Sequence, residues 1–451
     1  MSLPKIPNFP SLLPIEPLTR PLTGSIRPPG SKSITNRALV LAALSSHVHP
    51  VRLEGVLFSE DTELMMAALQ QLGFGVAANP ECEQAEIRAP AGAPIIPVSE
   101  ADLFCGNSGT TMRFMTAMVS IGQGNYRLDG ISRMRERPIE NLLEALRQLG
   151  VDAVSEHGTG CPPVRVRTTG WRDDVQVRIR GDISSQFISA LLLAAPWSGV
   201  RVSLYTTGRP VSEPYIRMTL AMLDQFGARV IRDDQKSLPD NTKQPTAFIV
   251  SPQQPCGLAS YVIEPDATAA TYWWAAAAIT GGSVTVTGLG PDSLQGDVAF
   301  VEILERMGCH VQMGCDSITV QGDKLSGIEV DMNAVSDTVM TLAAVACFAE
   351  GSTRIGNVAH IRHKETDRIA ALARELGRLG VEVREFEDGL EIRPRPMHGA
   401  IVETYNDHRM AMSLALIGLR VPRIVIRNPG CVVKTYPSFF EDLDRLCRPC
   451  R

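Results

Sequence analysis

The 451-residue chain has no long apolar run, no strong charge of one sign and no motif for nucleotide or metal chemistry. Its longest apolar stretches, 273–279 and 342–348, are short and Ala-rich, well under the roughly 18 residues a membrane helix needs. The formal net charge is only −5, which argues against a general nucleic-acid binder with its basic face. Apolar content of 44% with 21% charged residues is that of a globular protein and excludes low-complexity disorder. The opening MSLPKIPNFPSLLPIEPL has a single Lys and is broken by prolines. A secretory signal wants a basic start and an unbroken apolar stretch, and an Arg/Ser-rich transit peptide is also missing. These absences predict a cytoplasmic protein without a membrane or nucleic-acid partner. The length predicts two or three domains.

The missing motifs narrow the chemistry. GSKS resembles part of a phosphate-binding loop, but no Gly lies five residues before Gly30, so nucleotide hydrolysis is disfavoured. Neither a G-x-S-x-G elbow nor H-E-x-x-H occurs. Cys447 and Cys450 form a lone C-x-x-C with no further ligands nearby. The ten cysteines read as free thiols, and neither a metal nor a cofactor is expected.

What is present is a repeat. Five segments (MMAALQQLGFGV, LLEALRQLGVDA, LAMLDQFGARV, VEILERMGCHV and LARELGRLGVEV) each read as an amphipathic helix closed by Gly and followed by a strand. The closing glycines are Gly73, Gly150, Gly227, Gly308 and Gly380, spaced by 77, 77, 81 and 72 residues. Glycine just past a helix end suits a left-handed cap, because it has no Cβ to clash. Upstream of each lies a nearly all-apolar, Ala-rich helix. These begin near Ser31, Ser108, Ser184, Asp266, Ser336 and Asn406, and a helix apolar on every side belongs inside a domain. The pattern predicts six units of about 75 residues, the sixth cut short at the tail. Three units per half suggest two lobes, with a boundary in or just after the polar, Pro-rich stretch 233–255.

Each buried helix opens on a polar cluster: GSKSITNR, GNSGTTMR, GDISSQ, EPDATAA, SDTVMT and YNDHRMAM. Ser, Asp and Asn there are explained as N-caps. Several clusters also carry Lys or Arg, which are unfavourable beside the positive end of a helix dipole. Converging helix N-termini with basic residues predict a multiply charged anion as partner. The basic candidates are Lys32, Arg37, Arg113, Arg133, Arg137, Lys364, Arg368, Arg409 and Lys434. The acidic ones are Asp337, Glu365, Asp367 and Asp407, and His360, His363 and His408 lie close in sequence. Singly, each reads first as a solvated surface charge or a structural salt bridge. Arg113, inside an apolar run, is as readily a buried structural pair as a ligand contact.

The segments PPGSKSITNRALVLAAL, GNSGTTMRF, RMRERPI, GDISSQF, RHKETDR and NDHRMAM resemble the signature segments of the 5-enolpyruvylshikimate-3-phosphate synthase family (3-phosphoshikimate 1-carboxyvinyltransferase). They occur in the family's order from about residue 20 to residue 440. The resemblance implies an α/β fold of two lobes, each of three βαβαββ units with buried Ala-rich helices. The first lobe would be 31–263, and 1–30 with 264–451 the second, with the active site in the cleft. It also implies transfer of the enolpyruvyl group of phosphoenolpyruvate to the 5-hydroxyl of shikimate-3-phosphate, with release of phosphate, in chorismate and aromatic amino acid biosynthesis; the self-contained two-lobe plan makes a monomer the default.

Carried over by motif, shikimate-phosphate contacts fall on Lys32, Ser33, Arg37, Ser184, Ser185, Gln186, Ser212, Tyr215, Asp337, His360 and Lys364. Phosphoenolpyruvate contacts fall on Lys32, Gly109, Arg137, Gln186, Arg368, Arg409 and Lys434. Proton-transfer roles fall on Asp337, Glu365 and Lys32. The residue types suit two substrates that carry two phosphates and two carboxylates, because Arg forks bind such anions in bidentate fashion and Lys acts as a point charge. Asp337 is assigned as the acceptor of the hydroxyl proton. Glu365 is assigned as the donor to the methylene, with Lys32 as its rival, since neighbouring cations oppose donation from a carboxyl group.

Two positions depart from the family pattern. His360 stands where many members carry Asn, and Phe114 where many carry Pro. The family's inhibitor glyphosate would share the phosphoenolpyruvate pocket beside Gly109. Two rival readings are a transferase acting on UDP-N-acetylglucosamine and a non-catalytic anion-binding protein. For the first, none of Cys82, Cys105 and Cys161 sits in the sister family's reactive-cysteine motif. For the second, the charged residues of the helix openings would be expected to be lost, and here they are present.

Overall fold

The computed structural model describes residues 9–234, 246–252 and 258–448. The chain divides into two compact units, Gly30–Ile263 and Met1–Pro29 with Glu264–Arg451. The first is here termed the inserted unit and the second the split unit. The stretch 233–255 falls largely on residues 235–245 and 253–257, outside the described residues.

In the inserted unit, helices α1 (Lys32–Ser45), α2 (Glu60–Gln71), α3 (Gly109–Ser120), α4 (Glu140–Gln148), α5 (Ser185–Ala194) and α6 (Pro214–Gln225) alternate between buried and amphipathic. Every residue of α3 is buried, whereas α4 buries one stripe, Leu142, Leu143, Ala145 and Leu146. The split unit continues with α7 (Ala267–Thr280), α8 (Phe300–Arg306), α9 (Val339–Ala346), α10 (Arg368–Arg378), α11 (His408–Ala415) and α12 (Phe439–Cys447). Small side chains let α7, α9 and α11 pack closely. A run of hydroxyls, Thr271 to Thr341 at 3.2 Å and Thr341 to Ser413 at 3.2 Å, joins them through the core.

One strand order recurs. Glu100–Phe104, Gly124–Asp129, Val164–Thr168 and Asp152–Ser155 lie side by side in that sequence, the first pair parallel and the rest antiparallel. Helices α3 and α4 make the connections. Val175–Arg180, Val202–Thr207, Ala247–Val250 and Val230–Asp233 repeat the order, as do Glu329–Asp331, Thr353–Gly356, Gly389–Arg393 and Glu382–Phe386. Two repeats borrow their first strand from a distant part of the chain. Thr23–Ile26 pairs in parallel with Ser283–Thr287, and Ser260–Val262 pairs in parallel with Val51–Glu54. The expected closing glycines all take positive φ, from 78° at Gly227 to 114° at Gly308.

The sixth repeat is fuller than the sequence suggested. Ile401–Val402 runs parallel to Ile424–Arg427, and Leu12–Ile15 pairs antiparallel with the latter, in register Leu12 to Arg427. Helix α12 then supplies an amphipathic helix. The N-terminal stretch thus contributes a strand, while Cys450 lies outside the described residues. Two helix starts also shift. A 3₁₀ turn, Ser336–Thr338, precedes α9, and Asp407 rather than Asn406 caps α11.

Candidate active site

The N-termini of the buried helices gather the expected residues into one cluster in each unit. In the inserted unit, Ser31 caps α1, its hydroxyl accepting from Ile34 N, and Lys32 follows in the first turn. The Lys32 ammonium lies 3.2 Å from the carboxylate of Asp61, a buried residue in the first turn of α2. Ser184 caps α5 and accepts from Gln186 N, which leaves Ser184 and Gln186 half-buried while Ser185 turns inward. Ser212 holds a left-handed backbone, φ 51°, and precedes Tyr215 in α6.

Arg37, expected as a ligand contact, is buried and hydrogen-bonded within the unit. Nε donates to Thr219 Oγ1 (2.8 Å) and Nη1 to the Ser33 carbonyl (2.9 Å). Nη2 donates to Ser189 Oγ (3.3 Å) and the Tyr215 carbonyl (3.2 Å). The Phe114 ring lies under the guanidinium at 5.2 Å. Burial lowers its pKa to about 10, still far above neutrality, so the group remains a cation. Phe114, expected beside Gly109, thus packs on Arg37. The arginine ties together α1, α5 and α6 and so places Ser33 and Tyr215.

Arg137, within the RMRERPI segment, is buried and donates from Nη1 to Asn107 O (2.9 Å) and Asn107 Oδ1 (3.2 Å). Among the described residues, neither Arg37 nor Arg137 meets a carboxylate. A buried cation without a counter-charge is costly, so both favour an anion nearby. Gly109 opens α3 directly against Arg137. A Cβ there would come within 2.6 Å of Arg137 Nη2 and 2.7 Å of Arg113 Nη1. Arg113 itself donates to Gly109 O and Pro138 O, a largely structural arrangement. Because guanidinium groups can swing aside, Gly109→Ala should leave the fold intact and displace Arg137. If phosphoenolpyruvate sits where the resemblance implies, KM for it should rise about tenfold, the scale of one charged hydrogen bond, with a smaller change in kcat. Steady-state kinetics of the variant check this, and an unchanged KM would mean Arg137 does not touch that substrate.

In the split unit the cluster centres on two arginines. Arg368, the first residue of α10, is fully buried. Nε donates to Asp407 Oδ2 (2.8 Å), Nη1 to Asp337 Oδ1 (3.2 Å) and Nη2 to Glu365 Oε2 (2.8 Å). Its three carboxylates hold it charged despite its burial. Arg409 Nη2 donates to the other Asp337 oxygen at 2.8 Å, and Lys364 Nζ lies 3.7 Å from Asp337 Oδ1. Asp407 caps α11 by accepting from Arg409 N (2.9 Å) while its oxygens also take Arg368, so one carboxylate aligns both arginines. Lys434 is buried at the end of the 3₁₀ segment Pro429–Lys434, which packs on α11. Asp297, buried beyond Asp337, accepts from the Thr268 hydroxyl, and its pKa is raised to about 6 by burial and by the charge of Asp337.

His360 lies in the 3₁₀ segment Ala359–His363. Burial, with Lys364 and Arg368 adding to it against the pull of Asp337, lowers its pKa to about 4. The imidazole is therefore neutral at physiological pH and hydrogen-bonds much as an amide does. Because the folded pKa lies below the unfolded value of about 6.5, the unfolded chain binds the extra proton first as pH falls. The native state thus loses stability between about pH 6.5 and pH 4. His360→Asn should show a shallower fall in urea midpoint over that window and keep the wild-type pH–rate profile above it. A neutral-pH limb that vanished in the variant would contradict this.

Sequence reasoning missed Asp61 and Asn107, the residues that hold Lys32 and Arg137. Asp61 reads as an ordinary acidic residue in the first turn of a helix, and Asn107 as one more cap residue in GNSGTT.

Six α/β repeats, gathered three to a unit with anion-seeking helix openings, make this an enolpyruvyl transferase fold. The structure matches an EPSP synthase from Acinetobacter baumannii with a TM-score of 0.75, covering 96% of this chain and 98% of that one at 24% identity. It also matches the enolpyruvyl transferase NikO from Streptomyces tendae with a TM-score of 0.73, covering 96% and 97% at 22% identity. In sequence, residues 18–443 match the family EPSP synthase (3-phosphoshikimate 1-carboxyvinyltransferase). Proteins named 3-phosphoshikimate 1-carboxyvinyltransferase are similar along nearly the whole chain. That of Trichormus variabilis is 44% identical over 427 residues, 94% of this chain and 97% of the relative. That of Shewanella baltica is 42% identical over 438 residues, 96% and 99%. The chain belongs to the EPSP synthase family and is a transferase. Among the described residues no helix is long and apolar enough to cross a membrane.

Proposed function

We propose that this chain transfers the enolpyruvyl group of phosphoenolpyruvate to the 5-hydroxyl of shikimate-3-phosphate. The observation that best supports this is Arg368, which bridges Asp337 and Glu365 at 3.2 and 2.8 Å while Arg409 takes the far oxygen of Asp337. Two carboxylates held by one guanidinium suit a reaction in which one proton is delivered and another removed. The surrounding cations suit a phosphate and carboxylates.

A proton added to the methylene carbon of phosphoenolpyruvate makes the adjacent carbon electrophilic. The 5-hydroxyl oxygen bonds to that carbon and gives its proton to Asp337. The resulting tetrahedral adduct loses a proton from its new methyl group as the carbon–oxygen bond to phosphate breaks, which restores the double bond. Glu365 or Lys32 handles the methyl proton. Arg368, Arg409, Arg137 and Lys434 bind phosphoenolpyruvate with Lys32, Gly109 and Gln186. Ser33, Ser184, Ser185, Gln186, Ser212, Tyr215, His360 and Lys364 bind shikimate-3-phosphate with Lys32 and Asp337. Arg37 acts by placing Ser33 and Tyr215, with its charge adding to the field. Inhibition by glyphosate competitive with phosphoenolpyruvate follows from the same reading.

The test is phosphate release from phosphoenolpyruvate with either acceptor. Release only with shikimate-3-phosphate supports the proposal. Release only with UDP-N-acetylglucosamine overturns the acceptor, and release with neither, in folded protein, overturns the activity.

A further inference from the structure

The segment before α11 is strained. Tyr405 and Asn406 both adopt left-handed backbone conformations, each at φ 54°, immediately ahead of Asp407. For non-glycine residues that region is unfavourable, and it persists where surrounding contacts over-determine it. Here the contacts are specific. The Tyr405 hydroxyl donates to Glu375 Oε1 at 2.5 Å, and Glu403 N donates to Glu375 Oε2 at 3.0 Å. Glu375 lies on α10, seven residues after Arg368, with a fully buried side chain that also meets Arg378 Nη1 at 3.4 Å. Arg374 donates to the Tyr405 hydroxyl at 3.2 Å from the solvent side. Asn428 Nδ2 donates to Asn406 Oδ1 at 3.1 Å. Burial and the neighbouring Glu375 carboxylate keep the phenol protonated and therefore a donor.

The two left-handed residues turn the chain so that Asp407 caps α11 and also meets Arg368. Arg368 and Glu375 belong to the same helix, so that helix grips the 403–407 segment at two points.

We propose that Glu375 and Tyr405 form a positioning clamp that holds residues 405–407 in this conformation and thereby aims Arg368 and Arg409. Neither touches the reacting groups; both act through Asp407. The link to phosphoenolpyruvate rests on the function proposed above, whereas the clamp itself does not.

The experiment uses the full chain with Tyr405→Phe, Glu375→Gln and the double variant, read in two ways. Amide hydrogen exchange in the unliganded protein should quicken at least about tenfold at Asp407 and Arg409, the scale of one lost charged hydrogen bond, with α7 unchanged. Kinetics should show KM for phosphoenolpyruvate raised about tenfold, the affinity for shikimate-3-phosphate within about twofold, and the double variant no worse than either single one. Unchanged exchange at 407–409 overturns the clamp whatever the enzyme does. Faster exchange with an unchanged KM overturns its role in aiming the arginines. Faster exchange in a protein whose wild type releases no phosphate sinks the function proposed above and leaves the clamp standing.

Discussion

Arg368→Lys should lower kcat/KM for phosphoenolpyruvate by about 10²–10³, although the charge is retained. The buried guanidinium serves Asp407, Asp337 and Glu365 through three nitrogens at 2.8–3.2 Å. An ammonium is a single point of charge on a shorter reach. It can satisfy one or two of these carboxylates and leaves another buried and repelled by its neighbours. The variant should therefore also lose stability, because an uncompensated buried charge costs about 3–5 kcal/mol where a partner is removed outright. A urea titration beside the kinetics separates the two effects. Activity within threefold of wild type would mean the fork geometry is dispensable.

Asp337→Asn should lower kcat by about 10²–10⁴, the usual worth of a general base. The amide oxygen can still accept from one of Arg368 and Arg409 while its NH2 faces the other, so the binding affinity for shikimate-3-phosphate should fall, but by less than kcat. Wild-type turnover in the variant would move the base elsewhere. A second readout is Asp297. Its pKa is held up partly by the charge on Asp337, so in the variant its carboxyl group should titrate at lower pH in carbon-13 NMR.

The parts of this structure that were legible in sequence are those where one residue type answers one physical demand. Gly73, Gly150, Gly227, Gly308 and Gly380 mark helix ends because a left-handed cap tolerates little else. Ser31, Ser108, Ser184 and Asp266 mark helix starts because each side chain accepts from a free backbone N–H two or three residues on. The illegible parts depend on partners distant in the chain. Leu12–Ile15 is four residues long and follows prolines, so it carries no alternation to read; only its pairing with Ile424–Arg427 makes it a strand. Arg37 reads as a ligand residue in GSKSITNR, and nothing there announces that Ser189, Tyr215 and Thr219, more than 150 residues away, will also accept from it. Tyr405 reads as a lead-in to a cap, and nothing in YNDHRMAM announces that Glu375 will hold its hydroxyl.

The borrowed strands have a consequence for synthesis. The inserted unit, 30–263, is contiguous, so all its parts have left the ribosome before most of the split unit exists. Leu12–Ile15 and Thr23–Ile26 emerge first and pair last, the former with a strand more than 400 residues downstream. Until then both are open edges able to pair with the wrong neighbour. The prolines around Leu12–Ile15 and the shortness of both strands make them poor templates for such pairing, which suits segments that must wait for the whole chain.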